Sequence, residues 1–230
     1  MKCCAITKKG TPCKFNAKYG EYCGVHNKKT NAPETCKKRS MECPIDVLKN
    51  IGNEQLELQR RLNASWVDAE FTSIQQLRPD YSGKCGEKLI VELCRKGGME
   101  VEYNGDSNVN AEDGTYDAKI CVKKDEIKTA WRGSNGSFQH ESLRANGCDQ
   151  MIFVDIAPNH YYITVLEKFD MTVAHPIIRR KPHLRKGTTD VYKFDFGEPH
   201  LQRAVEAGIS IKVDRTTSME DVYTFLKRFH

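Results

Sequence analysis

Hydrophobic positions recur with helical spacing at the start of the larger part of the chain. Between Pro44 and Trp66, Ile45, Leu48, Ile51, Leu58 and Leu62 fall at three- and four-residue steps, with Gln55 in the same register. The spacing predicts a helix over about residues 45–63, with Pro44 suited to its first turn and Gly52 a weak interruption. A second helix is predicted over about residues 83–96, from Leu89, Ile90, Leu93 and Cys94, ended by Gly97-Gly98. Residues 99–103 then alternate as a strand does. Residues 114–122 and 126–130 read as two further strands, joined by a turn at Lys123-Lys124-Asp125. Residues 138–146 read as helical or turn-like. The apolar run 151–156 predicts a short buried strand, and 161–166 its hairpin partner after Pro158-Asn159. Helices are expected over 201–207 and 218–229, the last capped by Ser218 with Asp221 near its first turn. The sum is a mixed α/β chain with antiparallel pairs and at least one helical crossover.

Charge divides the chain. It has 230 residues and a net charge of +5, but residues 1–42 alone carry +7 and the remainder −2. Six of the ten Cys lie in residues 1–43. We therefore expect a small basic module at 1–43, including a linker from about Asn27, and a larger domain at 44–230. The module has few large apolar side chains, and a segment of that size needs a metal or disulfides to hold a fold. Ligand candidates are Cys3 or Cys4, then Cys13, Cys23 and His26. Cys23-Gly24-Val25-His26 is a short chelating pair, and a Cys3His set of thiolates and imidazole suits structural Zn2+. No apolar leader precedes it and no run of 18 uncharged apolar residues exists. An intracellular, reducing location without a membrane span is expected, which favours metal over disulfides. Lys8, Lys9 and Lys14 stand among the aromatics Phe15, Tyr19 and Tyr22, a composition suited to a polyanion such as DNA.

The first stretch, Cys3 through Ala5-Ile6-Thr7-Lys8-Lys9-Gly10-Thr11-Pro12-Cys13, with Tyr22-Cys23-Gly24-Val25-His26 after it, resembles a small Cys/His zinc-binding module found in proteins of large DNA viruses. Spacing alone leaves Cys3 and Cys4 equal. The resemblance selects Cys3 and implies a virus-encoded protein.

In the larger domain, Asp117 lies in one expected strand, with Glu126 and Lys128 in the next. Glu126 and Lys128 are two residues apart and so share a face. A hairpin would converge two carboxylates and one ammonium on one patch. Carboxylate oxygens suit Mg2+, and a divalent ion lowers the pKa of water and offsets charge at phosphorus. An acid-x-Lys in a strand is often no more than a solvated face. Here the flanking Ile120, Val122, Ile127 and Ala130 are core-forming, and charges among them need a reason. Asp113 competes with Asp117, but it lies in the polar loop 108–114.

These residues, with Ser82-Gly83-Lys84-Cys85-Gly86-Glu87 before them and Phe138-Gln139-His140-Glu141 and residues 147–158 after, resemble type II restriction endonucleases of the PD-(D/E)xK nuclease superfamily. Tyr116 stands where that pattern often has Pro. The resemblance implies a central mixed sheet flanked by helices, with Asp117 and Glu126 on a catalytic Mg2+ and Lys128 positioning water. It also implies Glu87 as an assisting helix carboxylate. His140 is a candidate for contacting the scissile phosphate or shuttling a proton. Further on, Arg179, Arg180, Lys181, Arg185 and Lys186 crowd a Pro/Gly-punctuated stretch suited to a DNA-facing loop.

Taken together, these features predict a Mg2+-dependent endonuclease that cuts double-stranded DNA at a short sequence as a homodimer, with a structural Zn2+ head. The alternatives are a structure-specific repair or recombination nuclease of the same fold, and a zinc-containing DNA-binding regulator without catalysis.

Overall fold

The computed structural model describes residues 1–7, 10–17, 44–105, 116–144 and 147–230. The chain divides into two compact units, Met1–Leu56 and Glu57–His230.

In the first unit, the N-terminal segment folds back on itself. Bridges pair Lys2 with Asn16 and Ile6 with Pro12. Cys3 N–H donates to Phe15 O and Cys13 N–H to Ala5 O, each at 2.9 Å. Helix α1 (Pro44–Leu62) follows the expected periodicity and carries the chain into the second unit. Residues 27–43, expected as a linker, lie outside the described residues.

The second unit contains α2 (Thr72–Gln75), α3 (Pro79–Lys96), β1 (Val101–Tyr103), β2 (Ala118–Ile120), β3 (Lys123–Trp131), β4 (Ser137–Arg144) and β5 (Gln150–Ala157). Then come β6 (His160–Glu167), β7 (His183–Leu184), β8 (Val191–Gly197), α4 (Glu198–Glu206), β9 (Ser210–Val213) and α5 (Met219–Lys227). Six strands form one mixed sheet in the order β1-β2-β3-β5-β6-β9, and β4-β8-β7 form a smaller antiparallel sheet. Only β3 and β5 run parallel among these pairs.

Two apolar cores follow from this layering. On one face of the large sheet, Ile90, Val91, Leu93 and Cys94 of α3 and Val222, Phe225 and Leu226 of α5 pack on Ile120, Ile127, Ile152 and Ile163. On the other, Phe138 and Leu143 of β4, Phe194 and Phe196 of β8 and Leu201 of α4 pack on Ala130, Met151, Phe153 and Leu166. Strand β5 is sandwiched between the two and buried at all eight positions, which explains why it is apolar except at Gln150 and Asp155. The expected mixed α/β architecture, a central mixed sheet flanked by helices, is what the chain forms. No helix among the described residues is long and apolar enough to cross a membrane.

Three local expectations need correction. The β2–β3 turn lies at Cys121-Val122, not at residues 123–125, because Ile120 pairs with Lys123 across a two-residue loop. Such loops need a positive φ, and Cys121 supplies it at 52° without being glycine. Residues 138–146 are not helical: Ser137–Arg144 is strand β4. Finally, the crossover between the parallel strands β3 and β5 runs through β4 and the second sheet, not through a helix.

Candidate active site

Helix α3 lies very close to β3, and Gly86 allows it. A Cβ on Gly86 would stand 1.9 Å from Thr129 Oγ1. The Thr129 hydroxyl donates to Gly83 O at 3.3 Å. This close approach brings Glu87, the next residue of α3, towards the β2–β3 hairpin. Its carboxylate accepts a hydrogen bond from the Tyr103 hydroxyl at 2.8 Å.

Asp117 precedes β2. Its backbone N–H donates to Asp125 O at 2.9 Å, which aligns it with β3. Its carboxylate accepts from the backbone N–H of Ile127 at 2.7 Å. That bond ties the side chain to the strand on which Glu126 and Lys128 flank Ile127. Lys128 Nζ forms an ion pair with Glu126, and both side chains are largely buried. The shared face expected from their two-residue spacing is present: both line one cleft.

The electrostatics of the cluster are strained. The Asp117 carboxyl is pushed up to about 7, first by burial and then by the negative charge of Glu126. Glu87 adds to the rise, while the Ile127 N–H and the Lys128 ammonium oppose it. Like carboxylates that share a site cannot both ionise freely unless a cation stands between them. Carboxylate oxygens suit a hard divalent cation such as Mg2+, which Asp117 and Glu126 would hold. Among the described residues no group of three His, Cys, Asp or Glu side chains forms a ready-made metal shell. Glu87, bonded to Tyr103, acts on Asp117 through charge.

The cleft has a volume of about 260 Å³ and is lined by Glu126, Lys128, Ser142, Arg144, Cys148, Arg185 and Val191. The Cys148 thiol is pushed up to about 11 by burial and then by the charge of Glu126, so it stays protonated at neutral pH. Below the hairpin, Asp125 is fully buried. Gln150 Nε2 donates to it at 2.7 Å, and His230 Nε2 lies 3.3 Å from each of its oxygens. These groups brace β3 against β5 and α5 directly behind Glu126.

His140 does not join the cluster. Its side chain is fully buried, 2.8 Å through Nε2 from Asp155 Oδ1. It packs against Phe153 and Phe196, with ring centroids 4.7 and 5.2 Å away. The expected contact with a scissile phosphate is therefore corrected: His140 is a core residue of β4, out of reach of a substrate.

In the basic stretch, Arg179, Arg180, Lys181, Arg185 and Lys186 are all exposed. Arg180 Nε donates to Asp195 O at 3.1 Å, which ties it to β8. Of the five, Arg185 lines the cleft. In the N-terminal segment Cys3 and Cys13 are buried against one another, while Cys4 and Lys14 are exposed. Cys23, His26, Lys8 and Lys9 lie outside the described residues.

The sequence reading missed Ser142, Arg144 and Cys148 as cleft residues. The signal was the alternation of Phe138 and His140, which breaks phase before Leu143. Comparison with known proteins gives no family model that matches the chain and no match among curated proteins. One similar solved structure is a restriction endonuclease in complex with substrate DNA, with a TM-score of 0.37 and 17% sequence identity. The match covers 80% of this chain and 100% of that one.

Proposed function

We propose that this chain is a Mg2+-dependent endonuclease that hydrolyses phosphodiester bonds of double-stranded DNA. The observation that carries the reading is the hairpin cluster. Burial and then the charge of Glu126 hold the Asp117 carboxyl well above its ordinary range, and Lys128 is paired to Glu126 in a cleft rimmed by arginine. A pure DNA binder has no use for two carboxylates beside phosphates, since they repel the ligand unless a cation intervenes.

In this reading Asp117 and Glu126 hold the ion. Bound there, Mg2+ would offset charge on the phosphate and ease deprotonation of water. Lys128 holds the attacking water and steadies the charge that develops on the phosphate oxygens. Glu87 keeps the field at Asp117 negative. Water adds at phosphorus and the ester oxygen leaves as a hydroxyl, so the products are a phosphate monoester and an alcohol.

Sequence-specific cutting by a homodimer is the finer form of this proposal, because a two-fold protein matches a palindromic site and reaches both strands. The N-terminal segment would act as a Zn2+-stapled DNA-binding head held by Cys3, Cys13, Cys23 and His26. The mutual burial of Cys3 and Cys13, with Cys4 exposed, supports Cys3 in that set.

Sequencing the ends of plasmid fragments after a Mg2+ digest tests the reading. Discrete fragments with one common end sequence are expected. A plasmid left intact by folded protein in Mg2+ and Mn2+ would overturn it, and cutting confined to branched or nicked substrates would replace it with the repair-type alternative.

A further inference from the structure

The second sheet contributes a device that the hairpin cluster does not contain. Along β4, Phe138 and His140 face the core, so even-numbered positions point inward. An unbroken strand would send Ser142 and Arg144 inward as well. It does not, because β4 is bulged. His140 pairs with Phe194 and Leu143 with Tyr192, three steps on β4 against two on β8. The extra residue reverses the alternation. Leu143 fills the core, fully buried, and Ser142 and Arg144 line the cleft with Glu126 and Lys128. The bulge carries backbone strain at Ser142, a non-glycine residue with φ 59°. Strain of this kind persists where the surrounding structure demands it, and bulges re-aim side chains beside active sites.

Arg185 arrives in the same cleft from a different segment. Its backbone N–H donates to Val191 O at 2.7 Å. Val191 is the residue that pairs with Arg144 across β4 and β8. One residue thus anchors both arginines side by side. Neither has an ion-pair partner among the described residues, whereas Lys128 is already paired to Glu126. The cleft therefore offers two uncommitted guanidinium groups beside Glu126 and Lys128.

We infer that Arg144 and Arg185 form a phosphate clamp that holds the DNA backbone against the Asp117–Glu126–Lys128 cluster. Guanidinium matches the two free oxygens of a phosphodiester with paired hydrogen bonds, which lysine cannot do. Ser142 Oγ adds a neutral donor at the same position. The inference rests on the nuclease reading for its substrate, but binding tests it independently of cleavage.

The test is the affinity of the full chain for a short labelled duplex in Ca2+, measured by fluorescence anisotropy across a salt series. Arg144→Ala and Arg185→Ala are compared with wild type and with Lys227→Ala, a charge-matched control at exposed Lys227 in the last turn of α5. Each arginine variant is expected to bind about tenfold or more weakly, the scale of a lost charge-assisted hydrogen bond. The slope of log affinity against log salt should fall by about one per arginine. Inorganic phosphate should compete with duplex for wild type and less well for the variants. If Arg144→Ala loses its circular-dichroism spectrum, Arg144→Gln is measured with the same readouts. Wild-type affinity and slope in both arginine variants, or no duplex binding by wild type, overturn the clamp. If wild type cuts DNA while the variants bind and cut equally well, the clamp falls and the nuclease reading stands. If the variants lose binding but wild type never cuts, the clamp stands and the nuclease reading falls.

Discussion

The backbone N–H of Ile127 donates to Asp117 Oδ2 at 2.7 Å. The bond crosses from the residue just before β2 to the middle of β3, and it fixes the carboxylate beside the strand that carries Glu126 and Lys128. A main-chain donor cannot swing away, so Asp117 is held near Glu126 even though their charges repel. The cluster is thereby preorganised, and a cation bound there would relieve its like-charge repulsion.

That strain sets a pH dependence. The Asp117 carboxyl is raised from 3.8 to about 7 in the folded chain, by burial and then by Glu126. Between those values the folded state holds more protons than the unfolded one, so metal-free stability falls as pH rises from about 4 to 7 and levels off above. Asp117→Asn keeps the oxygen that accepts from Ile127 but removes the charge. In EDTA it should melt higher than wild type at pH 8 and show little difference at pH 4. Equal melting temperatures at pH 8 would contradict the account of like-charge strain. Metal-dependent activity of wild type should correspondingly rise from pH 5 to about 7, as the proton that competes with the cation is lost.

The close approach of α3 to β3 gives a second prediction. Gly86→Ala places a methyl group 1.9 Å from Thr129 Oγ1, so the helix or the strand must move. Overpacking of this kind costs ~1–3 kcal/mol. Thr129→Ala removes the offending oxygen, so the double variant should recover part of the loss in a denaturant titration. Additive losses in the double variant would show that the two residues are not in contact.

His140 separates a core role from a catalytic one. Removing it leaves Asp155 buried without its partner, and burial already raises the Asp155 carboxyl. His140→Ala should lower stability by ~3 kcal/mol, as expected for half of a buried pair. Replacing both, as His140→Leu with Asp155→Val, should restore most of it. The double variant should also retain cleavage, because neither side chain reaches the cleft. A stable, folded double variant that no longer cuts DNA would return His140 to the active site.

The N-terminal segment makes a separate prediction about metal content. Cys3 and Cys13 are buried together, so each should be needed for Zn2+. Purified wild type should carry one zinc per chain by elemental analysis, Cys13→Ser none, and exposed Cys4→Ser the full amount. Loss of zinc in Cys4→Ser with retention in Cys3→Ser would exchange their roles.

Much of this was legible in the sequence, for reasons that differ by residue. Glu126 and Lys128 share a face because a strand alternates, and alternation survives any error in the turn. The turn itself was misjudged: Lys123-Lys124-Asp125 is polar, yet Asp125 is polar in order to bind Gln150 and His230 inside the core. The apolar run of β5 was plain, since a strand buried on both faces is mostly apolar and its two polar residues, Gln150 and Asp155, each have a buried partner. Strand β4 was hidden by its bulge. One extra residue at Ser142 breaks the two-residue period, so Phe138, His140 and Leu143 match neither a strand nor a helix in sequence. With β4 went Arg144, and with the pairing of β4 and β8 in the second sheet went the burial of His140. Both depend on which sheet a segment joins, and pairing between distant strands leaves no local mark.

The central claim is that Asp117 and Glu126 hold a divalent cation with which Lys128 hydrolyses DNA. Plasmid cleavage in Mg2+ by wild type, Asp117→Asn and Lys128→Ala, with each fold checked by circular dichroism, tests it most directly. The account predicts cutting by wild type and a loss of at least ~100-fold in both folded variants, the scale of a removed catalytic group. Cleavage at the wild-type rate by folded Asp117→Asn or Lys128→Ala would contradict it.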